Sequence, residues 1–273
     1  MEFERLVRFE ANGTTHYGNL VSESDGAYTV QPLHGSVKSG FSPTGQNAVV
    51  TSKLLCPIAE TPIIICVGVN YRQHAEEAGI KVPTYPVIFT KPADALHGPS
   101  EPVKVHPSAQ SMLDYEGELV FVTSRDAKNL PEDFDLADYI LGYTAGNDVS
   151  ARNFQVPDAS GGQYCYAKSF DQFAPIGPWL VSPALIPDPQ KLEFVVRVNG
   201  EVRQKTGTND MIWTVKQILR HLTRGTTLRA GTVVMTGTPN GVGYFSQRFL
   251  QDGDLVEVDV EGVAKLVHTV VYE

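Results

Sequence analysis

Three acidic residues alternate along one short segment of the chain. Asp114, Glu116 and Glu118 are spaced by two and lead into the apolar residues 119–122. Because residues i, i+2 and i+4 of a β-strand point to one face, this spacing predicts two or three carboxylates that project together from a strand entering the core. Neighbouring buried carboxylates repel one another, and a divalent cation with oxygen ligands would neutralise them. An exposed edge strand with alternating acidic residues fits the same spacing equally well.

A fourth acidic residue, Asp148, stands in the turn Gly146-Asn147-Asp148 after an apolar segment. Asp in such a turn commonly caps the segment that follows, and taken alone this interpretation is favoured over a metal ligand. Nucleotide binding is not supported. The glycines of the segment TPNGVG do not have the spacing of a dinucleotide- or phosphate-binding loop, and no Gly-Lys-Ser/Thr occurs in the chain.

The composition describes an ordinary globular protein. The chain has 273 residues, of which 42% are hydrophobic and 19% charged, enough for one large domain or a large and a small one. A net charge of -9 without a basic stripe makes nucleic acid and anionic membranes poor partners. The odd number of cysteines, three, argues against a disulfide framework. No signal peptide or membrane span is recognisable, so we expect a cytoplasmic protein.

Hairpins dominate the predicted secondary structure. Asn12-Gly13 and Asn199-Gly200 are typical hairpin turns between β-rich segments. The segment TVKQILRHLTR has helical spacing of apolar residues, and residues 36–45 are rich in Gly and Ser and resemble a loop. We therefore predict a β-dominated α+β fold with few short helices. It would have a small N-terminal β-rich domain, residues 1–60, and a main domain, residues 61–273.

Several longer segments occur in an order that is known from one family. They are VGVNYRQHAEEAG, PVIFTKPADAL, DYEGELVFV, GNDVSARNFQ, AKSFDQFAPIGPWL, VNGEVRQ and MTGTPNGVG. Together they resemble the fumarylacetoacetate hydrolase family over about residues 60–273, in particular its smaller acylpyruvate hydrolase-like and oxaloacetate decarboxylase-like members. The resemblance implies that family's mixed β-sandwich or roll. It also implies an Mg²⁺ or Mn²⁺ site formed by Glu116, Glu118 and Asp148.

The resemblance further implies substrate-binding residues. Lys168 would face the bound substrate and stabilise a developing enolate or oxyanion; the alternative is a surface salt bridge to Asp171. Arg152 and Gln155 match positions near the substrate carboxylate or the reacting carbonyl, or else support their loop. Thr238 resembles a residue that hydrogen-bonds the substrate, and a plain turn residue before Pro239 is nearly as good an interpretation.

A histidine and a glutamate complete the implied site. His74 and Glu77 resemble a catalytic dyad that smaller members carry on a mobile lid. At positions i and i+3 of a helix the two side chains can meet, so that Glu77 would orient His74 as a general base. Glu76 is adjacent and could take the place of Glu77. Thr232 and Ala264 depart from the family pattern, where Asp and Gly are usual, and both are expected in structural turns.

The implied activity is metal-dependent hydrolysis of a C–C bond in a 2,4-dioxo acid of the acylpyruvate type. His74 would activate a water, and Lys168 would stabilise the enolate that leaves. Oxaloacetate decarboxylation, or tautomerisation or isomerisation of an unsaturated 2-oxo acid, could use the same residues. A non-catalytic binding protein on the same scaffold is a further alternative, which the presence of every implied metal ligand and of Lys168 argues against. A homodimer that binds a small 2-oxo acid is the expected assembly.

Overall fold

Strands dominate the computed structural model, which describes residues 2–273. The strands are β1 (Arg5–Ala11), β2 (Thr14–Ser24), β3 (Ala27–Ser36), β4 (Gly40–Pro43), β5 (Val49–Thr51), β6 (Ile64–Gly68), β7 (Val87–Lys91), β8 (Leu96–His97), β9 (Val103–Val105), β10 (Leu113–Asp114), β11 (Gly117–Thr123), β12 (Ile140–Asn147), β13 (Ser150–Ala151), β14 (Ala174–Val181), β15 (Glu193–Val198), β16 (Glu201–Gly207), β17 (Val233–Met235), β18 (Leu255–Val260) and β19 (Ala264–Tyr272). The helices are α1 (Arg72–Glu77), α2 (Pro157–Ser160), α3 (Val215–Leu222) and α4 (Gly243–Ser246). The predicted β-dominated α+β class is therefore confirmed.

Two large sheets make up the body of the molecule. The larger has twelve strands, with the main order β4-β3-β2-β1-β14-β12-β11-β17-β6-β7. The smaller has the order β16-β15-β18-β19-β9, and β10 and β13 form a separate pair. Strand β11 is buried along its whole length: Leu119 and Phe121 belong to the hydrophobic cluster shared with the smaller sheet, while Val120 and Val122 belong to a second cluster on the opposite face. Burial on both faces explains why this strand is a continuous apolar run.

The leading residues form hairpins that join the larger sheet. Asn12 and Gly13 both have positive φ, 51° and 73°, as the two-residue turn between β1 and β2 requires. Strand β1 also pairs with β14, where Leu6 lies opposite Leu180. The division at residue 60 stays a prediction.

One predicted loop is partly wrong. Residues 36–45 contain β4, which pairs with β3 and places Phe41 in the core. The turn is residues 37–39, closed by hydrogen bonds between Ser36 and Ser39, and pairing with a neighbouring strand outweighs the loop-like composition.

The predicted helix in TVKQILRHLTR is confirmed as α3. Thr214 and Gln217 form a capping box at its start, and four apolar side chains at helical spacing are buried, namely Val215, Ile218, Leu219 and Leu222. Across residues 2–273, none of the helices has the length and apolar character needed to cross a membrane.

Candidate active site

The acidic segment is not one regular strand. Strand β10 ends at Asp114 and β11 begins at Gly117. Between them, the backbone N–H groups of residues 115, 116 and 117 donate to side chains, those of Asp114, Asn147 and Gln204 respectively. The expectation from the i, i+2, i+4 spacing is therefore wrong for Asp114, which does not belong to the carboxylate cluster and pairs with Arg152 instead.

Glu116, Glu118 and Asp148 meet in the interior. Each offers one carboxylate oxygen, and these oxygens lie within 4.8 Å of one another. All three residues are buried, and the edge-strand interpretation is thereby excluded. Glu118 Oε2 accepts a hydrogen bond of 2.6 Å from the backbone N–H of Gly237, so the end of β17 positions this carboxylate.

Buried negative charge exceeds buried positive charge in this region. Four carboxylates lie close to three cationic side chains; the carboxylates are Asp114, Glu116, Glu118 and Asp148, and the cations are Lys91, Arg152 and Lys168. Burial alone would raise the pKa of Glu116, but Lys168 and Arg152 outweigh it and lower that pKa to about 2. Burial, together with the charges of Asp148 and Glu116, raises the pKa of Glu118 well above its ordinary value. Ionisation of Glu118 is therefore disfavoured unless a further cation binds beside it.

Lys168 is buried between two of the carboxylates. Its Nζ lies 2.7 Å from both Glu116 Oε2 and Asp148 Oδ2 and donates a hydrogen bond to each. The alternative of a surface salt bridge to Asp171 does not apply. Burial opposes the charged form of Lys168, but Asp148 and Glu116 raise its pKa above the ordinary value, so the ammonium keeps its proton.

A second buried lysine was not anticipated. Lys91, at the end of β7, donates hydrogen bonds to the carbonyls of Val149 and Phe173 and brings its Nζ to 2.5 Å from Asp148 Oδ1. That oxygen nevertheless has no hydrogen bond of acceptable geometry. The only signal for Lys91 was its place in the segment PVIFTKP, and a single lysine at a strand end is normally exposed.

The guanidinium nitrogens of Arg152 contact three different residues. Nε donates to Asp114 Oδ2 at 2.8 Å, Nη1 donates to Gln155 Oε1 at 2.9 Å, and Nη2 lies 2.6 Å from Glu116 Oε1. Asp114 in turn accepts the backbone N–H groups of Gly243 and Tyr244, at 2.7 and 2.9 Å. Asp114 therefore ties Arg152 to the loop that carries α4.

His74 and Glu77 meet on α1. Nδ1 of His74 lies 3.0 Å from Glu77 Oε2, and Glu77 Oε1 accepts the backbone N–H of Gly241 at 3.0 Å. Nε2 is consequently the ring nitrogen left for a substrate. Glu76 plays no part in this contact, and Gly79, with φ of 64°, follows the end of the helix.

Thr238 is held by the protein itself. Its hydroxyl donates to the carbonyl of Gly117 and accepts from Nε2 of Gln204. Gln204 also accepts the N–H of Gly117, so it joins the Gly-Thr-Pro loop to the acidic segment. Sequence reasoning missed this glutamine, which lies on a hairpin far away in the chain.

Six of the nine predicted site residues line one cavity of about 290 Å³, whereas Glu77, Glu118 and Asp148 are not part of its wall. Its wall includes His74, Glu116, Arg152, Gln155, Lys168 and Thr238. Two loop regions, residues 156–164 and 240–248, contribute as well, through Val156, Pro157, Tyr164, Tyr244 and Phe245. The histidine, one carboxylate of the acidic cluster and two cationic side chains thus line a single space, which is what proton transfer on a bound acid requires.

A buried histidine contacts the acidic segment through Asn147. His268 Nε2 lies 3.0 Å from Asn147 Nδ2, and Asn147 Oδ1 accepts the N–H of Glu116. The side-chain NH₂ group of Asn147 can only donate to His268 Nε2, so the proton of the neutral imidazole ring is on Nδ1. Burial lowers the pKa of His268 to about 4, which keeps the ring neutral at pH 7.

The three clustered carboxylates fit a divalent metal ion. Hard cations such as Mg²⁺ and Mn²⁺ prefer carboxylate oxygens. The donor set is all oxygen, and Asp148 Oδ1 lacks a hydrogen bond of acceptable geometry. Within residues 2–273, Glu118 forms no ion pair with a lysine or arginine, and burial and the neighbouring carboxylates raise its pKa. A cation bound there would satisfy all three observations.

The chain is similar to known proteins over most of its length. Residues 63–271 match the family described as fumarylacetoacetate (FAA) hydrolase C-terminal. The chain is 42% identical over 266 residues to an uncharacterized protein of Archaeoglobus fulgidus, covering 97% of this chain and 96% of that one. It is 39% identical over 220 residues to the oxaloacetate tautomerase fahd2 of Xenopus laevis, covering 80% and 68% of the two chains.

Solved structures are similar over nearly the whole chain. A 2-hydroxyhepta-2,4-diene-1,7-dioate isomerase from Mycobacterium marinum is 36% identical, with a TM-score of 0.84 and 99% of both chains covered. A fumarylacetoacetate hydrolase from Exiguobacterium antarcticum is 32% identical, with a TM-score of 0.83, covering 98% and 99% of the two chains. The match includes the leading residues as well as the region of the long motifs.

Proposed function

Because the chain belongs to the fumarylacetoacetate hydrolase family, whose members are enzymes, we propose that it interconverts the keto and enol forms of a small 2-oxo dicarboxylic acid such as oxaloacetate. The observation that carries this proposal is that His74, held by Glu77, lines the same cavity as Glu116 of the carboxylate cluster. Relatives named oxaloacetate tautomerase and structures named isomerase support it. Keto–enol exchange moves only protons, and a base opposite an electrophilic centre is sufficient for it.

Glu116, Glu118 and Asp148 would hold Mg²⁺ or Mn²⁺. When bound, the metal would supply a Lewis acid that polarises the 2-oxo group and makes the neighbouring C–H more acidic. The protein alone already holds the three carboxylates close together, with Gly237 positioning Glu118 and Asn147 positioning the backbone of Glu116. Such support from surrounding groups is typical of metal sites.

His74 is the proposed base. Its Nε2 would take a proton from the carbon next to the 2-oxo group, and water would supply the proton that the 2-oxo oxygen takes to give the enol. The imidazolium would then return its proton to water. Ketonisation is the reverse. Glu77 holds the ring through Nδ1 and is itself held by Gly241, so the imidazole keeps one orientation during the transfer.

Arg152 and Lys168 are the proposed cationic contacts of the substrate. Arg152 is suited to a carboxylate, with Gln155 beside it, and Lys168 is suited to the oxygen on which negative charge develops. Thr238 lines the same cavity, and its hydroxyl is already bonded to Gly117 and Gln204. We therefore assign Thr238 to shaping the cavity and contacting the substrate, rather than to proton transfer.

Hydrolysis of an acylpyruvate is the second candidate. In that reaction, Nε2 of His74 would take the proton of a water that attacks the 4-oxo carbon, and the C–C bond would break to give a carboxylic acid and the enolate of pyruvate. The similarity to the fumarylacetoacetate hydrolase from Exiguobacterium antarcticum supports this alternative. Oxaloacetate decarboxylation would give the same enolate with loss of CO₂.

One substrate panel separates these reactions. Enol oxaloacetate, acetylpyruvate and fumarylpyruvate are each incubated with the protein and Mg²⁺ or Mn²⁺, with and without EDTA, and products are identified. We expect EDTA-sensitive loss of the oxaloacetate enol absorbance without CO₂ release. Acetate and pyruvate from acetylpyruvate would instead assign a hydrolase, and CO₂ and pyruvate from oxaloacetate a decarboxylase. No change in any substrate would contradict the proposal.

A cytoplasmic homodimer is the proposed state of the protein. A small dicarboxylic acid as substrate fits an enzyme that works among water-soluble metabolites. Light scattering on the full chain should give twice the mass of one chain, and cell fractionation should recover the protein with cytoplasmic enzymes. A monomer mass, or recovery with membranes, would contradict the respective part.

A further inference from the structure

Val69 has an unusual backbone conformation. Its φ is 53°, in the left-handed region, whereas the other non-glycine residues with positive φ between residues 2 and 273 are Asn12, Asp25, Asn129, Gln172, Asn199 and Gln247. Those six are unbranched polar residues, and Asn and Asp in particular tolerate this region. A β-branched side chain does not tolerate it, because its Cβ substituents crowd the backbone. Val69 is therefore the strained position among them.

The residue after Val69 fixes this conformation. Asn70 is fully buried; its Oδ1 accepts the N–H of Trp213, and its Nδ2 donates to the carbonyls of Trp213 and Thr236. The backbone packs just as closely, since a Cβ on Gly237 would lie 2.6 Å from Asn70 Cβ. Strain persists in proteins where surrounding contacts over-determine the backbone, and here the contacts of Asn70 do so.

Val69 lies on the wall of the candidate active-site cavity. It is half-buried and lines the same space as His74, Glu116 and Arg152. Glycine at position 69 would adopt the same backbone conformation without strain. Valine differs from it by the isopropyl group. Valine therefore adds side-chain volume at the wall of a cavity of about 290 Å³.

We propose that Val69 is a specificity-determining residue that limits the chain length of the 2-oxo acid accepted in this cavity. The substrate class rests on the proposed function, but the steric role does not depend on which reaction follows. Removing the isopropyl group should allow a longer acid to bind. A short acid should then bind less tightly. Differences of one or two methyl groups in a pocket commonly change selectivity by about tenfold or more.

The test compares Val69→Gly with the wild type and with Asn12→Gly. Asn12 also has positive φ but lies in the first hairpin, away from the cavity, so it controls for the backbone change alone. For Val69→Gly we expect an unfolding midpoint at or above that of the wild type. We also expect the ratio of kcat/KM for fumarylpyruvate to that for oxaloacetate to rise about tenfold. Asn12→Gly should leave the ratio unchanged.

Calorimetric binding keeps the inference separate from the proposed function. If no panel acid is turned over by the wild type, the proposed function fails, and titration of 2-oxoglutarate and 2-oxoadipate into the Mn²⁺-loaded proteins still decides the role of Val69. The longer acid should then gain affinity in Val69→Gly relative to the shorter one. The assignment would be overturned if the ratio of kcat/KM or of affinities stayed unchanged in Val69→Gly. It would also be overturned by an unfolding midpoint below that of the wild type, or by no binding of either acid to either protein.

Discussion

Replacing Asp114 with Asn tests whether this buried carboxylate fixes Arg152 beside the cavity. Oδ1 accepts the N–H groups of Tyr115 and Gly243, and Oδ2 accepts Arg152 Nε and the N–H of Tyr244. A carboxamide keeps one oxygen and puts an NH₂ group in place of the other. Two of the four donors then lose their acceptor and face another donor.

The expected loss of stability follows from these contacts. Breaking a buried ion pair by removing one charge costs about 3–5 kcal/mol, since the remaining charge stays buried without its partner. Arg152 keeps Gln155 and the nearby Glu116, so we expect the lower end, about 3 kcal/mol. The guanidinium would keep its charge but not its orientation, and we expect KM to rise about tenfold with a smaller change in kcat.

Urea unfolding and steady-state kinetics measure the two effects, because urea leaves ionic contacts unscreened. Asp135→Asn is the matched control: Asp135 is exposed and accepts one N–H, from Ala137, which Asn accepts equally well. The control should match the wild type in both assays. If Asp114→Asn also matched it, Asp114 would not position Arg152, and the reasoning from its four donors would be refuted.

Three further changes probe the rest of the site. Glu116→Ala should abolish EDTA-sensitive turnover and weaken Mn²⁺ binding at least about tenfold by calorimetry, and normal turnover would remove Glu116 from the metal site. His74→Ala should bind Mn²⁺ normally and lose turnover by about 100-fold, so an unchanged rate would exclude the dyad. His268 has a pKa of about 4 when folded and about 6.5 when unfolded, so it stabilises the fold above pH 6.5 and loses this contribution as the pH falls toward 4. Between pH 7 and 5, the wild type should lose about 2 kcal/mol more unfolding free energy than His268→Gln, measured in urea, and parallel losses would contradict the burial argument.

Local signals in the sequence predicted much of the fold. Asn-Gly pairs located two hairpins because both residues tolerate positive φ, and the spacing of apolar residues located α3 because its buried face follows the helical period. The long motifs identified the family, and with it the fold class. Each of these features depends on residues close together in the chain.

The acidic segment shows why local rules were insufficient. The two-residue spacing of the acidic residues cannot reveal that the strand is interrupted after Asp114. The interruption depends on the side chains of Asn147 and Gln204, which accept backbone N–H groups 31 and 87 positions away in the chain. Lys91 was missed for a similar reason: its burial depends on the carbonyls of Val149 and Phe173. Without the family resemblance, the spacing left the metal site and an exposed strand equally plausible.

Pairing between β1 and β14 has a consequence for shortened forms of the chain. Strand β14 is flanked by β1 on one side and β12 on the other, and Phe3 and Leu6 belong to the same hydrophobic cluster as Ile64 and Val120. Deleting the first 60 residues would uncover the backbone groups of β14 where β1 now pairs, together with apolar surface beside them. Such an edge can recruit strands from other molecules, so the leading hairpins also act as a barrier to aggregation.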